Sequence, residues 1–319
     1  MTIPNILLIG SGQLGSRYLQ GLVSIESQLS ITVVDSSEAS LSAARERLEQ
    51  VSMSCSHDVF FTTSFDDVPR FVDLALVVTP SHCRESVVRH LVAHFEVKSL
   101  ILEKLLAQSS EQLDRIEQCL LGHKQVWVNT PRRLMPWHQA MNSLLLPNGP
   151  SPLQLRVYGG SWGMACNSIH FIDLLSWWSQ ASVQSVCSDG LEAWFQSKRP
   201  GFSEVSGRIA VSYSDGSELE LLCHMGTQPL LISVDTPQGE WVINESEGRF
   251  NGPAGQKLCG QLIFQSALTA PLVKQILQYG CCSLPTLSES ASQHRQLLIS
   301  FLDHWNKSQG YQDSIVPIT

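Results

Sequence analysis

Through the first 130 residues, short apolar runs alternate with longer segments whose apolar positions recur at helical spacing. The apolar runs predict six strands, at residues 5–9, 31–34, 59–61, 74–78, 99–102 and 126–128. The segments between them predict helices at residues 13–25, 40–50, 82–95 and 110–121. Strands that are apolar along their whole length are typical of parallel sheets covered on both faces. Residues 1–130 are therefore predicted to form a doubly wound α/β domain.

The pattern of apolar positions changes near residue 130. A connector rich in proline and glycine, residues 145–152, leads into segments in which apolar and polar positions alternate. The alternation predicts strands at residues 153–158, 207–213, 218–224, 230–236 and 240–244. Helices are predicted at 168–179 and 288–307, and the second of these is a candidate to pack back on the first domain. Residues 131–319 are thus expected to form an α+β domain with a large, mainly antiparallel open sheet.

A glycine-rich loop joins the first predicted strand to the first predicted helix. Its sequence is Gly10-Ser11-Gly12-Gln13-Leu14-Gly15. Gly10 permits a tight turn, Gly12 lets the backbone approach a pyrophosphate, and Gly15 lets the helix pack on the strand. The start of the helix, with Gln13 and Leu14, offers N–H groups to phosphates. The loop therefore predicts a dinucleotide site; the alternative is a glycine turn that holds no ligand.

An acidic residue closes the second predicted strand. Asp35 follows Gly15 by 20 residues, where a carboxylate accepts hydrogen bonds from the adenosine ribose and repels a 2′-phosphate. This favours NAD as the cofactor. NADP is left open because Arg45 and Arg47 lie on the next predicted helix. The alternative for Asp35 is a helix cap.

Composition and charge argue against several classes of protein. With a net charge of −8 and a pI of about 5.7, the chain lacks the basic balance typical of proteins that bind nucleic acid. No run of ~18 apolar residues is long enough to cross a membrane, and the apolar N-terminus lacks the basic start of a signal peptide. The nine cysteines show no CxxC spacing, so we expect no metal, no disulfide framework, and reduced thiols in the cytoplasm.

Four motifs occur in the order and spacing of a known family. They are the glycine loop, Thr79-Pro80-Ser81-His82, Glu103-Lys104 and Ile169-His170-Phe171-Ile172-Asp173. Together they resemble the Gfo/Idh/MocA oxidoreductases, which include glucose–fructose oxidoreductase and inositol dehydrogenase. The resemblance implies a Rossmann domain and an α/β domain whose open sheet carries the substrate site and the interface of a homodimer or homotetramer. It also implies NAD(P)-dependent hydride transfer at a hydroxyl or keto carbon of a sugar, nucleotide sugar or cyclitol.

The resemblance also implies roles for the catalytic side chains. Lys104 matches the lysine of the family's Glu-Lys-Pro motif and would donate to the reacting oxygen, with Glu103 orienting it or closing the strand. His170 matches the histidine of the His-x-x-Asp motif and would take the hydroxyl proton. Asp173 would contact the substrate or hold the helix. The alternatives are a surface lysine and a helix-face histidine with local hydrogen bonds.

Further residues are assigned by the resemblance to the cofactor or the substrate. The cofactor set is Gly10, Gly12, Gln13, Leu14, Gly15, Asp35, Thr79, Pro80, His82, Glu103 and Lys104. The substrate set is Asn129, Arg132, Arg133, Trp162, Asn167 and His170. One arginine would grip a carboxylate or phosphate as a bidentate fork, unless the arginines form a salt bridge that links the domains. The alternative for Trp162 is a place in the core. The alternative for His82 is a position on the helix without contact to a ligand.

Two positions depart from the family pattern. Leu105 replaces the usual proline after the lysine, and Cys166 replaces an aspartate that often lies four residues before the histidine. Either Asn167 and Asp173 substitute for that carboxylate or the chemistry differs. Two other classes therefore stay open: a non-catalytic nucleotide-binding sensor or partner protein, and an interaction protein without a cofactor. If the protein is an enzyme, segment 165–170 resembles members of surface-polysaccharide or nonulosonic-acid sugar pathways.

Overall fold

The chain divides into two compact units in the computed structural model, which describes residues 3–310 and 312–319. The first unit consists of residues 3–106, 114–131 and 263–287, and the second of residues 107–113, 132–262 and 288–319. The main boundary between the units lies between residues 131 and 132. In the sequence, continuous apolar runs give way at the same place to alternating apolar and polar positions. Residues 263–287 return to the first unit from the second half of the chain.

The first unit is built on a six-stranded parallel sheet. Its strands are β1 (Asn5–Ile9), β2 (Ser30–Val34), β3 (Asp58–Thr62), β4 (Phe71–Val77), β5 (Glu96–Glu103) and β6 (Val126–Asn129). Their order is β3-β2-β1-β4-β5-β6, so that Ile6 pairs with Ile31 on one side and with Leu74 on the other. Consecutive residues of β1 and β4 are buried, which requires cover on both faces of the sheet. The predicted doubly wound parallel sheet is confirmed.

Helices lie between the strands of this sheet along the chain. They are α1 (Gln13–Leu22), α2 (Glu38–Leu48), α3 (Ser81–His94) and α4 (Ser110–Cys119). The hydroxyl of Ser37 accepts a hydrogen bond from the Ser40 backbone N–H and so caps α2. Since Ser37 follows Asp35 by two residues, this cap fixes the turn that leaves the carboxyl end of β2.

The second unit contains an eight-stranded sheet and a short hairpin. The strands are β7 (Gln154–Gly160), β8 (Val183–Leu191), β9 (Phe195–Gln196), β10 (Ser203–Glu204), β11 (Gly207–Tyr213), β12 (Glu218–His224), β13 (Leu231–Thr236), β14 (Gly239–Asn244), β15 (Arg249–Asn251) and β16 (Lys257–Cys259). The sheet order is β16-β15-β14-β13-β7-β12-β11-β8, and β9 pairs with β10. Within the sheet only β7 and β12 run parallel. The predicted large, mainly antiparallel sheet is confirmed.

One face of this sheet is buried and the other is open. Along β7 the side chains of Leu155 and Val157 are buried, whereas Arg156 and Tyr158 are exposed. The helices of the unit are α5 (Pro136–Leu145), α6 (Met164–Ser179) and most of α8 (Leu287–Gln309). The Tyr213 hydroxyl of β11 donates to the Ile172 carbonyl at 3.0 Å, which ties α6 to the sheet.

The helix that packs on α1 within the first unit is α7 (Gln265–Tyr279). The approach is close: a Cβ at Gly21 would lie 2.5 Å from the Ser266 carbonyl oxygen and 2.5 Å from the Thr269 Cβ. Residues 288–319 group with the second unit, and the packing of helix 288–307 on the first domain stays a prediction. Pro271 inside α7 hid this helix, because an internal proline is typical of a helix break. None of the helices described here has the length and apolar composition to span a membrane.

Candidate active site

The order of the parallel strands places the glycine loop at a switch point of the sheet. The chain moves outward in opposite directions from β1 and β4, and ligands of such sheets bind beyond the carboxyl ends of those strands. Gly10 has φ +95°, and a Cβ there would lie 2.9 Å from the Val78 carbonyl oxygen. At Gly15 a Cβ would lie 1.9 Å from the Gly10 carbonyl oxygen. Gly10 and Gly15 are therefore required by the packing of the loop itself.

Gly12 has a different environment from the other two glycines. A Cβ there would meet no described atom within 4 Å. The following helix, α1, begins without a side-chain cap and without an acidic residue in its first turn, where Gln13 and Leu14 are exposed. Its first N–H groups have no partner within the helix, and the positive end of the helix dipole faces the same way. The loop is thus open where a pyrophosphate would lie, and its donors fit one.

Asp35 is oriented by the glycine loop and by the turn after β2. Its Oδ2 accepts from the Ser11 N–H at 2.7 Å and the Ser11 hydroxyl at 3.1 Å, and its Oδ1 from the Ser37 N–H at 2.9 Å. A carboxylate has about four acceptor positions, so these three bonds leave capacity for a ribose hydroxyl. Arg45 pairs with Glu38 at 2.8 Å, and Arg47 donates to the Ser16 hydroxyl at 2.9 Å. Because both arginines have partners, the site favours NAD over NADP.

A buried arginine links the loops that follow β4 and β5. Arg84, in the first turn of α3, donates to the carbonyl oxygens of Thr79 and Leu105. It is 1% exposed, and burial lowers its pKa to about 10. Pro80 precedes α3 as its N-cap, and His82 lies in its first turn. The sequence did not indicate Arg84, since an arginine in the first turn of a helix is ordinarily solvated.

Glu103, at the end of β5, is the centre of a buried network. Its Oε1 accepts from the Tyr18 hydroxyl at 2.5 Å and from the Asn129 side-chain amide at 2.6 Å. Asn129 also donates to the Gln265 side-chain oxygen at 2.9 Å. Burial raises the pKa of Glu103, and the two donors and the charge of Lys104 oppose that shift. Burial likewise raises the pKa of Tyr18 well above its usual value.

These contacts indicate what Glu103 and Asn129, two of the predicted site residues, do in the protein. Glu103 and Asn129 are both buried and bonded to side chains of their own unit, so the contacts favour a supporting role for them. The Asn129 Oδ1 and the Thr79 hydroxyl are buried without a hydrogen-bond partner. Buried polar atoms are normally hydrogen-bonded, so a bound ligand at the carboxyl edge of the sheet would supply the partner that these two atoms lack. Lys104 follows Glu103 and is half-buried, and the peptide bond from Lys104 to Leu105 is cis.

Arg132 and Arg133, the two candidates to bind a substrate anion, both form ion pairs with carboxylates of the second unit. Arg132 Nε and Nη2 donate to the two oxygens of Glu245 at 2.9 and 2.8 Å. Arg133 Nε and Nη2 donate to the two oxygens of Asp173 at 2.9 and 2.6 Å. Asp173 is fully buried, which favours the structural alternative for this residue. Arg133 also lines a cavity of about 400 Å³ together with Trp177 and Gln293.

Glu245, the partner of Arg132, also binds a third buried side chain, His138. His138 Nε2 donates to Glu245 Oε1 at 3.0 Å, and burial lowers the pKa of His138 to about 4. Although burial raises the pKa of Glu245, the charge of Arg132 and the donor from His138 together hold it far below its usual value. The Arg132 guanidinium lies 4.1 Å from the centre of the Phe171 ring. Glu245 and His138 have no signal in the sequence, because 113 residues separate Arg132 from its partner.

The N-terminus of α6 is held by a carboxylate that the sequence did not indicate. Glu204 Oε2 and Oε1 accept from the backbone N–H groups of Ala165 and Cys166 at 2.9 and 3.2 Å. A carboxylate is therefore present beside position 166, although residue 166 itself is a cysteine. His170 lies one turn further along α6 and is half-buried. Glu204 lies in a two-residue strand, which no periodicity can reveal.

Trp162 and Asn167 lie on either side of the first residue of α6. The Asn167 side-chain amide donates to the Trp162 carbonyl at 2.8 Å, and the Trp162 indole donates to the Leu222 carbonyl at 2.9 Å. The Trp162 ring also meets the Phe171 ring edge-on at 5.6 Å. Both side chains are half-buried, so each retains surface that a substrate can contact.

Comparison with known proteins identifies the domain that carries the glycine loop. Residues 4–130 match the model of the oxidoreductase family with an NAD-binding Rossmann fold, Gfo/Idh/MocA. Residues 4–130 are therefore the NAD-binding Rossmann domain of an oxidoreductase of the Gfo/Idh/MocA type. No curated protein sequence matches the chain significantly.

Solved structures share the fold of this oxidoreductase over nearly its whole length. Myo-inositol dehydrogenase from Lactobacillus casei, in complex with NAD(H) and myo-inositol, has a TM-score of 0.68 and 19% identity, over 98% of this chain and 96% of that chain. Myo-inositol 2-dehydrogenase from Lactobacillus plantarum has a TM-score of 0.68 and 17% identity, over 100% of both chains. GenD2 from gentamicin A biosynthesis, in complex with NAD, has a TM-score of 0.70 and 14% identity, over 97% and 95%.

Proposed function

We propose that this oxidoreductase oxidises a secondary hydroxyl of a neutral cyclitol or sugar with NAD as the hydride acceptor. The observation that carries the proposal is the position of Lys104. This half-buried lysine follows β5, beside the strand end that Arg84 connects to the Thr79 loop. Two of the similar structures are inositol dehydrogenases, one of them in complex with NAD(H) and myo-inositol, which supports a cyclitol as the first substrate to test.

The proposed roles of the side chains follow from their chemistry. NAD, when bound, accepts the hydride; Gly12, the start of α1 and Asp35 would hold it. The ammonium of Lys104 would donate a hydrogen bond to the reacting oxygen and stabilise negative charge there. The imidazole of His170 would accept the hydroxyl proton. Trp162 and Asn167 would contact the ring of the substrate.

The arginine pairs argue for a neutral substrate. Both guanidinium groups already donate two hydrogen bonds to a protein carboxylate, which neutralises their charge and occupies their Nε/Nη2 edge. An anionic substrate would have to compete with Glu245 or Asp173 for that charge. We therefore rank cyclitols and neutral sugars above nucleotide sugars and sugar acids. In this proposal Asp173 positions α6 through Arg133 and does not contact the substrate.

Three further parts of the proposal come from the sequence. A role in surface-polysaccharide sugar biosynthesis and assembly into a homodimer or homotetramer rest on resemblance, and a location in the cytoplasm rests on the scattered cysteines. The open face of the eight-stranded sheet, with Tyr158 exposed on β7, is the proposed oligomer surface. The competing function, a non-catalytic NAD-binding sensor or partner protein, is favoured by Cys166 in place of the family's aspartate.

The test is a substrate panel with NAD, read by the absorbance of the NADH formed. The panel contains myo-inositol, scyllo-inositol, neutral aldoses, sugar acids and nucleotide sugars. We expect turnover with a neutral polyol, and a loss of about 10²–10⁴-fold in kcat for Lys104→Met and His170→Asn. Lys98→Met, which removes an exposed lysine from the same strand, is the control. If NADH binds and no member of the panel is turned over, the non-catalytic function replaces this one.

A further inference from the structure

Side chains from four separate elements form one network around Glu103, the residue that precedes Lys104. Tyr18 belongs to α1, Glu103 to β5, Asn129 to β6 and Gln265 to α7. Successive contacts of 2.5, 2.6 and 2.9 Å join them into one chain of hydrogen bonds. Tyr18 is fully buried and Asn129 is 3% exposed, so bulk water does not replace these bonds. The network connects the helix of the phosphate loop with the end of β5.

Arg84 holds the backbone on the other side of Lys104. It donates to the Leu105 carbonyl, directly after the lysine, and to the Thr79 carbonyl in the loop after β4. Lys104 is thus flanked by a carboxylate fixed through Tyr18 and Asn129 and by a peptide fixed through Arg84. Burial raises the pKa of Glu103, and the charge of Lys104 opposes that rise, so the two groups also interact electrostatically.

We propose that Tyr18, Asn129 and Arg84 are positioning residues that fix the ammonium of Lys104 through Glu103 and the Leu105 peptide. Gln265 supports the network by holding Asn129. The inference rests on the proposed function, in which Lys104 contacts the reacting oxygen. The same bonds connect Lys104 to α1, so the position of the phosphate loop and the position of the lysine are set together.

A purely structural role is chemically unfavourable for such a network. A buried carboxylate pays a large desolvation penalty, and a well-packed apolar side chain at that place would stabilise the fold as well or better. The two donors on one Glu103 oxygen instead favour its charged form against the burial that raises its pKa, and they fix the direction of the carboxyl group beside Lys104. A carboxyl group held rigidly at the strand end is what orientation of an ammonium requires.

The first test measures the reactivity of the Lys104 amine in the cofactor-free protein. Trace labelling with acetic anhydride, read by mass spectrometry, compares the Lys104 amine with that of Lys98 on the same strand. In Tyr18→Phe the ratio of Lys104 to Lys98 labelling is expected to rise about threefold or more, because Glu103 with one donor fewer is protonated more readily and its neutral form does not hold the ammonium. Tyr213→Phe is the matched control: it removes another hydroxyl bond of a buried tyrosine, at 3.0 Å, in the second unit.

The second test separates positioning from cofactor binding. In Tyr18→Phe, kcat is expected to fall about tenfold while the Kd for NADH changes by less than about twofold. The acid limb of the kcat profile is expected to move to higher pH, because loss of the Tyr18 donor raises the pKa of Glu103 further. The groups that face Glu103 are Tyr18 from α1, Arg84 from α3, Asn129 from β6 and the neighbouring Lys104.

A labelling ratio that is unchanged in Tyr18→Phe overturns the inference. If Tyr18→Phe does not fold, Gln265→Leu decides, since it removes the half-buried acceptor of Asn129 and, besides that, only a 3.2 Å bond to the Thr269 hydroxyl. A ratio unchanged there overturns the inference as well. Labelling needs neither cofactor nor turnover. A wild-type protein that turns over no substrate would therefore refute the proposed function, while the labelling ratio would still decide the role of Tyr18.

Discussion

Gly12→Ala isolates cofactor binding from folding. A Cβ at Gly12 meets no described atom within 4 Å, whereas a Cβ at Gly15 would lie 1.9 Å from the Gly10 carbonyl oxygen. The backbone of Gly12 has φ −57° and ψ −163°, so its φ is one that alanine commonly adopts. The alanine variant is therefore expected to fold like the wild type. The cost of replacing glycine at the N-cap of α1 is about 1 kcal/mol or less.

The added methyl group occupies the space through which a pyrophosphate approaches the backbone. A phosphate oxygen kept away from the loop loses at least one charge-assisted hydrogen bond, worth about 1.5–3 kcal/mol. At 1.4 kcal/mol per factor of ten, the Kd for NADH should rise about 10- to 150-fold. Fluorescence titration with NADH measures the Kd, and thermal denaturation without cofactor measures the Tm.

Gly15→Ala is the contrasting variant. It should lose the fold of the loop, and its Tm should fall strongly in the absence of NADH, because backbone atoms cannot yield to a methyl group at 1.9 Å. An alanine at position 12 that binds NADH as tightly as the wild type would refute the assignment of this loop to the pyrophosphate. A large fall in Tm for Gly12→Ala would show that the space beside Gly12 is filled in the folded protein.

Three further predictions concern the second unit. His138 is buried and neutral with a pKa of about 4, against 6.5 when unfolded, so the stability gained from its neutral form is lost as the pH falls from 6.5 towards 4. His138→Gln keeps a donor for Glu245 but cannot titrate. Urea denaturation should show that the loss in free energy of unfolding from about pH 7 to pH 5 is about 2 kcal/mol smaller in this variant than in the wild type. An equal loss in both proteins would contradict the prediction. Asp173→Ala leaves the Arg133 guanidinium buried without its main partner and should cost about 3–5 kcal/mol, unless Glu289 at 3.8 Å compensates. Cys166→Asp places a second carboxylate beside Glu204 and should destabilise the protein by about 1 kcal/mol, a loss that Glu204→Gln should relieve in the double variant.

The elements of the first unit could be predicted because their signals are local. The strand at 5–9, the glycine loop and the helix after it are encoded within about twenty consecutive residues, and each glycine has a separate steric or functional reason. Asp35 could be located by its distance from Gly15 alone. The alternation of apolar residues likewise predicted the open sheet of the second unit, since Leu155 and Val157 face its core while Arg156 does not.

The residues that support the site were not predictable, because their partners are distant in the chain. Tyr18 and Glu103 are 85 residues apart, and Glu204 lies 38 residues beyond Cys166. Arg132 and Arg133 could be predicted as charges near the site, but not as charges already paired. The sequence also missed α7, since Pro271 interrupts its helical pattern.

By itself, then, the sequence determined most of the elements, the fold class, the cofactor and the identity of Lys104 and His170 as candidates. These properties depend on short-range periodicity, on the steric demands of glycine and on motif spacing. The tertiary structure decided which charges are neutralised and which are held in place: Asp173 by Arg133, Glu245 by Arg132 and His138, Glu103 by Tyr18 and Asn129. The physical reason is that the energy of a buried charge depends on its partners, and those partners meet only when the strands and helices have packed.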